Sequence, residues 1–313
     1  MNEKHLIQKY FSRKLDDESI IEGIGDDAAI VSTNSDCELV ITTDTMSEGN
    51  HFSKQAPAFA VGYKLMASNL SDAAAMGATP RWATLNITLD KLNESWLEQF
   101  SNGLHECAEA HNVMLIGGDT TKGSCLNASI QLIAEVPIGK AMLRSGAHGG
   151  DKIYVTGVIG NAFNALEFLQ ENDFNHRKLS DTQFSALYMP ESRIDLALEL
   201  REIANAAIDI SDGLLHELEL MCSASHTGAI LYVDDIPIND DIDFSKAIIG
   251  GEDYELLFSA PAEFAEEINN LSKKHNCLIS CIGEMTNNTI IELYHGSKVI
   301  PYPKYTGYDH FAP

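Results

Sequence analysis

Ala83-Thr84-Leu85-Asn86-Ile87-Thr88-Leu89 alternates apolar and polar side chains with a period of two, the pattern of a half-buried β-strand. Outward from it, the spacing predicts a strand over 82–89, a helix over 94–111 and a strand over 113–116 that opens into Gly117-Gly118-Asp119. On either side lie further strands over 38–43 and 129–136 and a helix over 58–76. A short amphipathic helix over 4–13, with Leu6, Ile7, Tyr10 and Phe11 at helical spacing, precedes them. This interleaving predicts an α/β or α+β domain. At Leu143-Arg144-Ser145-Gly146-Ala147-His148-Gly149-Gly150 the periodicity is lost and glycine accumulates, as at a domain junction. The expected organisation is an N-terminal domain over 1–140, a linker over 141–150 and a second mixed domain over 151–313. In the latter, strands are predicted over 152–156, 208–210, 229–233, 254–259 and 278–282, and helices over 162–170, 193–203, 213–223 and 262–275.

The 313 residues are 44% hydrophobic and 21% charged, enough for two ordinary cores. Lys+Arg is 21 against 46 for Asp+Glu, a net charge of −25 that repels nucleic-acid phosphates and anionic membrane surfaces. Neither nucleic acid nor membrane is therefore an expected partner, and most of these carboxylates serve solubility. The opening Met1-Asn2-Glu3-Lys4-His5 leads into a mixed segment without the apolar core of a secretory signal. Apolar runs such as Ala73-Ala74-Ala75-Met76 fall far short of the ~18 residues of a membrane span. The cysteines at 37, 107, 125, 222, 277 and 281 form no Cys-x-x-Cys pair, so reduced thiols in a cytoplasmic protein are expected.

Six aspartates stand in apolar or glycine-rich company, each ending or interrupting an apolar run. They are Asp27 in Gly25-Asp26-Asp27-Ala28, Asp44 in Thr42-Thr43-Asp44-Thr45, Asp72 in Asn69-Leu70-Ser71-Asp72, Asp119 after Gly117-Gly118, and Asp209 and Asp212 in Asp209-Ile210-Ser211-Asp212-Gly213. Singly, each is equally well a turn or N-cap residue. Together they call for a shared counter-charge, because a carboxylate at the end of a buried strand is costly unless a cation or a donor meets it. Mg2+, which takes oxygen ligands and is held by one or two carboxylates plus substrate phosphates, supplies one. Gly23-Ile24-Gly25, Gly117-Gly118 and Gly250-Gly251 let backbone N–H groups approach an anion. A Gly-x-x-x-x-Gly-Lys-[Ser/Thr] loop, the His-Arg-Asp and Asp-Phe-Gly pair, and a Gly-x-Ser-x-Gly elbow are all missing, so any nucleotide site follows another plan.

Taken in order, these motifs resemble the thiamine-monophosphate kinase family, within the superfamily of aminoimidazole ribonucleotide synthetase and selenophosphate synthetase. The resemblance runs through Gly23-Ile24-Gly25-Asp26-Asp27, Thr42-Thr43-Asp44-Thr45, Gly49-Asn50-His51-Phe52 and Asn69-Leu70-Ser71-Asp72-Ala73-Ala74-Ala75-Met76-Gly77-Ala78. It continues in Leu115-Ile116-Gly117-Gly118-Asp119-Thr120-Thr121, Arg144-Ser145-Gly146-Ala147, Asp209-Ile210-Ser211-Asp212-Gly213, Gly250-Gly251-Glu252-Asp253-Tyr254-Glu255-Leu256 and Gly307-Tyr308-Asp309-His310-Phe311. It implies an aminoimidazole ribonucleotide synthetase-like fold of two α/β domains, with N-terminal strands pairing across a homodimer. It further implies ATP-dependent, Mg2+-assisted phosphorylation of thiamine monophosphate to thiamine diphosphate. The implied metal ligands are Asp27, Thr42, Thr43, Asp44, Asp72, Asp119, Asp209 and Asp212, with Asp44, Asp72, Asp119 and Asp212 at the transfer centre. ATP contacts fall on Gly118, Asp119, Arg144 and Ser211. Thiamine-phosphate contacts fall on His51, Glu252 and Tyr305, the last standing where the family pattern has Trp.

Within the superfamily, selenophosphate synthetase calls for a Cys–Lys pair in a glycine-rich N-terminal segment, and Lys4, Lys9 and Lys14 have no cysteine beside them. Motif spacing leaves aminoimidazole ribonucleotide synthetase open. A non-catalytic divalent-ion binder is the alternative of another class, though no twelve-residue calcium loop ending in Glu is present.

Overall fold

A computed structural model describes residues 3–13, 17–24, 28–239 and 241–308. It divides into two compact units, the first of Met1–Ala73, Thr79–Gly139 and Asn172–Lys178, the second of Ala74–Ala78, Lys140–Glu171 and Leu179–Pro313.

The first unit begins with α1 (Glu3–Leu6), continued by a π turn (Ile7–Phe11), and a two-stranded sheet of β1 (Ile20–Glu22) and β2 (Ile30–Val31). Its main sheet is built from β3 (Cys37–Ser47), β4 (Thr79–Leu89), β5 (Met114–Lys122) and β6 (Asn127–Pro137), in the order β3-β6-β4-β5. Helices α2 (Ala58–Ala75) and α3 (Glu94–Ala110) complete it, α3 starting where the Asn93 side chain accepts the Trp96 N–H at 3.2 Å. The alternation in β6 buries Ala128, Ile130, Leu132, Ala134 and Val136, which with Leu85 and Ile87 of β4 and Leu65, Leu70, Phe100 and Leu104 of the helices make an apolar interior.

Two elements outrun the expectation from sequence. β3 continues past residue 43 through Asp44 to Ser47, because β6 pairs with it rung by rung from Cys37↔Pro137 to Ser47↔Asn127. Gly117-Gly118-Asp119 lies inside β5 and not in a turn after it. Gly118 has φ +143, and a Cβ there would stand 1.9 Å from the Leu85 carbonyl oxygen, so glycine alone keeps β5 paired to β4 at this point. Asp44 and Asp119 are thus within strands, where neighbouring backbone fixes them more firmly than a loop would.

The second unit is a seven-stranded sheet in the order β13-β12-β9-β11-β7-β10-β8. Its strands are β7 (Lys152–Thr156), β8 (Ala206–Asp209), β9 (Gly228–Tyr232), β10 (Leu256–Ala260), β11 (Ile279–Thr286), β12 (Ile291–His295) and β13 (Lys298–Ile300). The pairings are antiparallel apart from β9 with β12. Helices α4 (Asn161–Glu171), α5 (Asp181–Tyr188), α6 (Ile194–Leu200), α7 (Leu214–Ser225), α8 (Phe244–Ala247) and α9 (Ala265–Lys274) alternate with them. Leu214, Leu215, Leu218 and Met221 of α7 pack with Ile153, Val155, Ile208, Leu231 and Leu257 of the sheet in one buried cluster. The predicted strand over 254–259 starts only at Leu256, because Tyr254, at φ +52, turns to donate its N–H to the Ile210 carbonyl at 2.8 Å. No helix among the described residues is long and apolar enough to cross a membrane.

His105 on α3 gives the first unit an acid-sensitive point. It is 6% exposed, and its Nε2 has no hydrogen-bond partner among the described residues. Burial, helped by the charge of Arg13, pulls its pKa down to about 4. In the unfolded chain an imidazole titrates near 6.5, so that state alone takes up the proton between these values. The stability gained by keeping His105 neutral is complete above the window and is lost as pH falls through it. We expect the unfolding free energy to fall between pH 7.5 and 4.5 by about 2 kcal/mol more in the wild type than in His105→Gln, measured by urea denaturation.

Candidate active site

In the first unit, Thr42, Asp44 and Asp72 come together between β3 and α2. The Thr42 hydroxyl donates to Asp72 Oδ2 at 2.5 Å. One helical turn before Asp72, the fully buried Asn69 accepts the Asp44 backbone N–H at 3.2 Å and donates to the Leu65 carbonyl at 2.9 Å. Asn69 and Asp72, three apart, present one helix face to the strand. Thr43, the residue between Thr42 and Asp44, is exposed. The chain then turns at Gly49, with φ +91, and brings back His51, whose Nδ1 accepts the Ser47 N–H at 3.0 Å. That bond leaves Nε2 as the protonated nitrogen.

Asp119 is elsewhere on the same sheet. Its register row runs Asp119–Asn86–Ser129–Thr45, the row beside Gly118–Leu85–Ile130–Asp44. Asp44 and Asp119 therefore occupy opposite edge strands, ~14 Å apart at the usual strand spacing. Asp27 lies outside the described residues.

In the second unit the residues gather where β8 gives way to α7. Asp209, 4% exposed, ends β8, and Ser211 and Asp212 follow in the turn before Gly213. The loop carrying Glu252 is laced onto this turn. The Glu252 N–H donates to the Ser211 carbonyl at 2.7 Å, and a Cβ on Gly251 would stand 2.2 Å from that same oxygen. Glu252 itself is held at φ +75. The C-terminal segment closes the other side, with the Tyr308 N–H on the Asp212 carbonyl at 3.0 Å and the His216 N–H on the Thr306 carbonyl at 3.1 Å. Tyr305, at 64% exposure, projects from this segment with the Lys304 ammonium 5.1 Å from its ring centroid. Arg144 is exposed, and its backbone is fixed by the Ser225 hydroxyl, which donates to the Arg144 carbonyl at 2.8 Å.

Several residues that position these groups are not among the site residues expected from sequence, and Glu217 and Glu219 lie outside every motif. Glu217, 2% exposed, accepts the Asp212 N–H at 3.2 Å and the Ser211 hydroxyl at 3.4 Å; burial raises its pKa to about 7 against the opposing pull of Arg144. Glu219 accepts the Tyr302 hydroxyl at 3.0 Å and the Thr306 hydroxyl at 2.8 Å, fastening the segment that bears Tyr305 to α7. Asp253 accepts the Gly160 N–H at 2.8 Å at the start of α4. Beside it, Glu255 receives Arg193 through Nη2 at 2.6 Å and Nε at 2.7 Å. Of the three acids in Gly250-Gly251-Glu252-Asp253-Tyr254-Glu255, Asp253 and Glu255 are thus structural.

Among the described residues, no three His, Cys, Asp or Glu side chains converge to hold a metal ion by themselves. The donors present, Thr42, Asp44 and Asp72 in one unit and Asp209 and Asp212 in the other, are all oxygen. Each of the two sets by itself fits an ion that completes its shell with phosphate and water.

Comparison with known proteins places this arrangement. The model of the AIR synthase related protein N-terminal domain matches residues 25–136, and that of the AIR synthase related protein C-terminal domain residues 149–296. The thiamine-monophosphate kinase of Buchnera aphidicola subsp. Acyrthosiphon pisum is 38% identical, covering 99% of this chain and 98% of its own length. The chain belongs to the thiamine-monophosphate kinase family. Among solved structures, the thiamine-monophosphate kinase of Stenotrophomonas maltophilia K279a is similar with a TM-score of 0.85 and 35% identity, over 90% of this chain and 93% of that one. AaThiL complexed with AMPPCP and TMP is similar with a TM-score of 0.79 and 26% identity, over 90% of this chain and 89% of that one. The fold expected from sequence, two aminoimidazole ribonucleotide synthetase-like domains of mixed α/β structure, is the one found.

Proposed function

We infer that this chain transfers the γ-phosphoryl group of ATP to thiamine monophosphate, giving thiamine diphosphate, in the closing step of thiamine diphosphate biosynthesis. The observation that carries this reading is the likeness, over nine-tenths of the chain, to a family member complexed with AMPPCP, an ATP analogue, and TMP, read here as thiamine monophosphate.

The residues suit that chemistry. The acceptor is a phosphate monoester with a second pKa of about 6, largely dianionic at pH 7, so no general base is required. Two polyanions must instead meet on a chain of net charge −25. Bound Mg2+, held by Asp44, Asp72, Asp119, Asp209 and Asp212 with Thr42, Thr43 and Asp27, would neutralise charge on the nucleotide phosphates. Arg144 offers a planar fork of donors to nucleotide phosphates, and Ser211 a hydroxyl; Gly118 and Asp119 are the nucleotide contacts of the first unit. Transfer is direct and in line. Tyr305 already holds a cation, Lys304, over its ring, and the same face takes the cationic thiazolium of the acceptor. His51 and Glu252 complete the acceptor site.

The functional assembly in this reading is a homodimer. β3 and β5 are both edge strands, and β3 leaves Leu39 and Ile41 at 46% and 58% exposure. Long apolar edges need covering, and a second copy pairing along them would also bring Asp44 and Asp119 to the seams of one assembly. A cytoplasmic location suits the six cysteines, all free thiols.

The test is ADP release from ATP. The reading expects it only when thiamine monophosphate and Mg2+ are both supplied; release with an aminoimidazole ribonucleotide precursor, or without an acceptor, contradicts it. Arg144→Ala is expected to weaken ATP binding ~10-fold or more while leaving thiamine-monophosphate binding in place, by calorimetry with each ligand. Equal loss of both would remove Arg144 from the nucleotide phosphates.

A further inference from the structure

Glu217 takes no part in the transfer just described, yet it is the charged group most deeply enclosed beside the turn that carries Ser211 and Asp212. Its carboxylate reaches back from the first turn of α7 to the Asp212 N–H and the Ser211 hydroxyl. The helix N-cap, Gly213 at φ +133, has no side chain to share this work, and a Cβ there would stand 2.7 Å from the Ile249 carbonyl oxygen. The rest of the turn is pinned by backbone: the Ile210 N–H donates to the Glu255 carbonyl at 2.7 Å, and the Ile210, Ser211 and Asp212 carbonyls each accept a backbone N–H. The Asp212 N–H and the Ser211 hydroxyl are both held by Glu217. The helix does not depend on it for packing, since Leu214, Leu215, Leu218 and Met221 carry that contact.

We propose that Glu217 is a positioning residue, fixing the Ser211 hydroxyl and the Asp212 carboxylate in the geometry that receives the metal-bound nucleotide. This rests on the reading of residues 209–213 as part of the nucleotide and metal site. A group that orients a metal ligand typically changes metal affinity ~10–100-fold when removed, a signature that a helix cap lacks.

The test measures Mn2+ binding in the presence of AMPPCP by calorimetry and titrates Mg2+ in the ADP-release assay at saturating ATP, the two expected to shift together. It uses the full chain as wild type, Glu217→Ala, Glu217→Gln and Asp212→Asn, with thermal melting of each. Glu217→Ala is expected to raise the Mg2+ needed for half-maximal turnover ~10-fold, with the KM for thiamine monophosphate changed less than about 2-fold. Glu217→Gln keeps an acceptor oxygen in place and should stay within about 3-fold of wild type. An unchanged Mg2+ requirement in Glu217→Ala, with or without a lower melting temperature, overturns the proposal, as does equal impairment in Ala and Gln. If Asp212→Asn shifts the requirement and Glu217→Ala does not, only the positioning role fails. If Asp212→Asn has no effect either, the reading of residues 209–213 has failed.

Discussion

Asp119→Asn should lower turnover about a thousandfold, some 4 kcal/mol of transition-state stabilisation, and leave the protein folded. The contrast between the two effects is what makes the substitution informative. Asp119 is exposed on an edge strand, in a row whose neighbour is Asn86. Its place is set by backbone pairing and by the close approach of Gly118 to Leu85, neither of which an Asn side chain disturbs. An exposed substitution of nearly equal shape usually costs less than ~0.5 kcal/mol of stability. Only a charge that acts on the reacting phosphates loses so much rate from so small a change. Near-normal turnover at saturating Mg2+, with melting unchanged, would take Asp119 out of the transfer centre.

The second large effect is on stability. Arg193 and Glu255 have side chains 11% and 12% exposed and meet in a bidentate pair, and Glu255 also accepts the Thr156 hydroxyl at 2.6 Å. The same Thr156 oxygen accepts the Leu256 N–H at 2.8 Å, so the carboxylate sits at the joint between β7 and β10. Arg193→Ala would strand that carboxylate in the interior, a cost of about 3–5 kcal/mol, or about 10 °C in melting temperature for a unit of this size. Because Glu255 ends the loop that carries Glu252, the KM for thiamine monophosphate should rise as well. Replacing both partners by Met removes the unpaired charge and should recover most of the loss. A fall of less than about 3 °C in Arg193→Ala would show that water reaches Glu255 and solvates it.

How far the sequence speaks for itself differs from one element to the next. α3 and β4 are plain from periodicity because each buries one face, and α2, buried nearly all round, is plain as a long run of small and apolar residues. β3 is plain only as far as Thr43, since the polar Asp44-Thr45 reads as the end of the strand until β6 supplies its partners through Ser47. β12 and β13 are short, and the pairing of β12 with β9 joins residues distant in sequence. The motif aspartates could be picked out because acids in apolar company are unusual, but their roles could not be sorted the same way. Glu252, Asp253 and Glu255 look alike in sequence. What separates them is that Asp253 meets the start of α4, 93 residues away, and Glu255 meets Arg193, 62 residues away. Glu217 is silent in sequence for the opposite reason: it lies on a helix face, where a lone polar residue has no distinctive spacing, and Asn69 stands in its motif with nothing local to show that it meets Asp44.

The most direct measurement is a crystal structure with AMPPCP, thiamine monophosphate and Mn2+, the metal located by its anomalous scattering. Several metal ions are expected at the bound phosphates, with a carboxylate oxygen of Asp44, Asp72, Asp119 and Asp212 each bound to one of them directly at about 2.0–2.2 Å or through one water. Metal and nucleotide held by other residues, with these four carboxylates turned to bulk solvent, would contradict it.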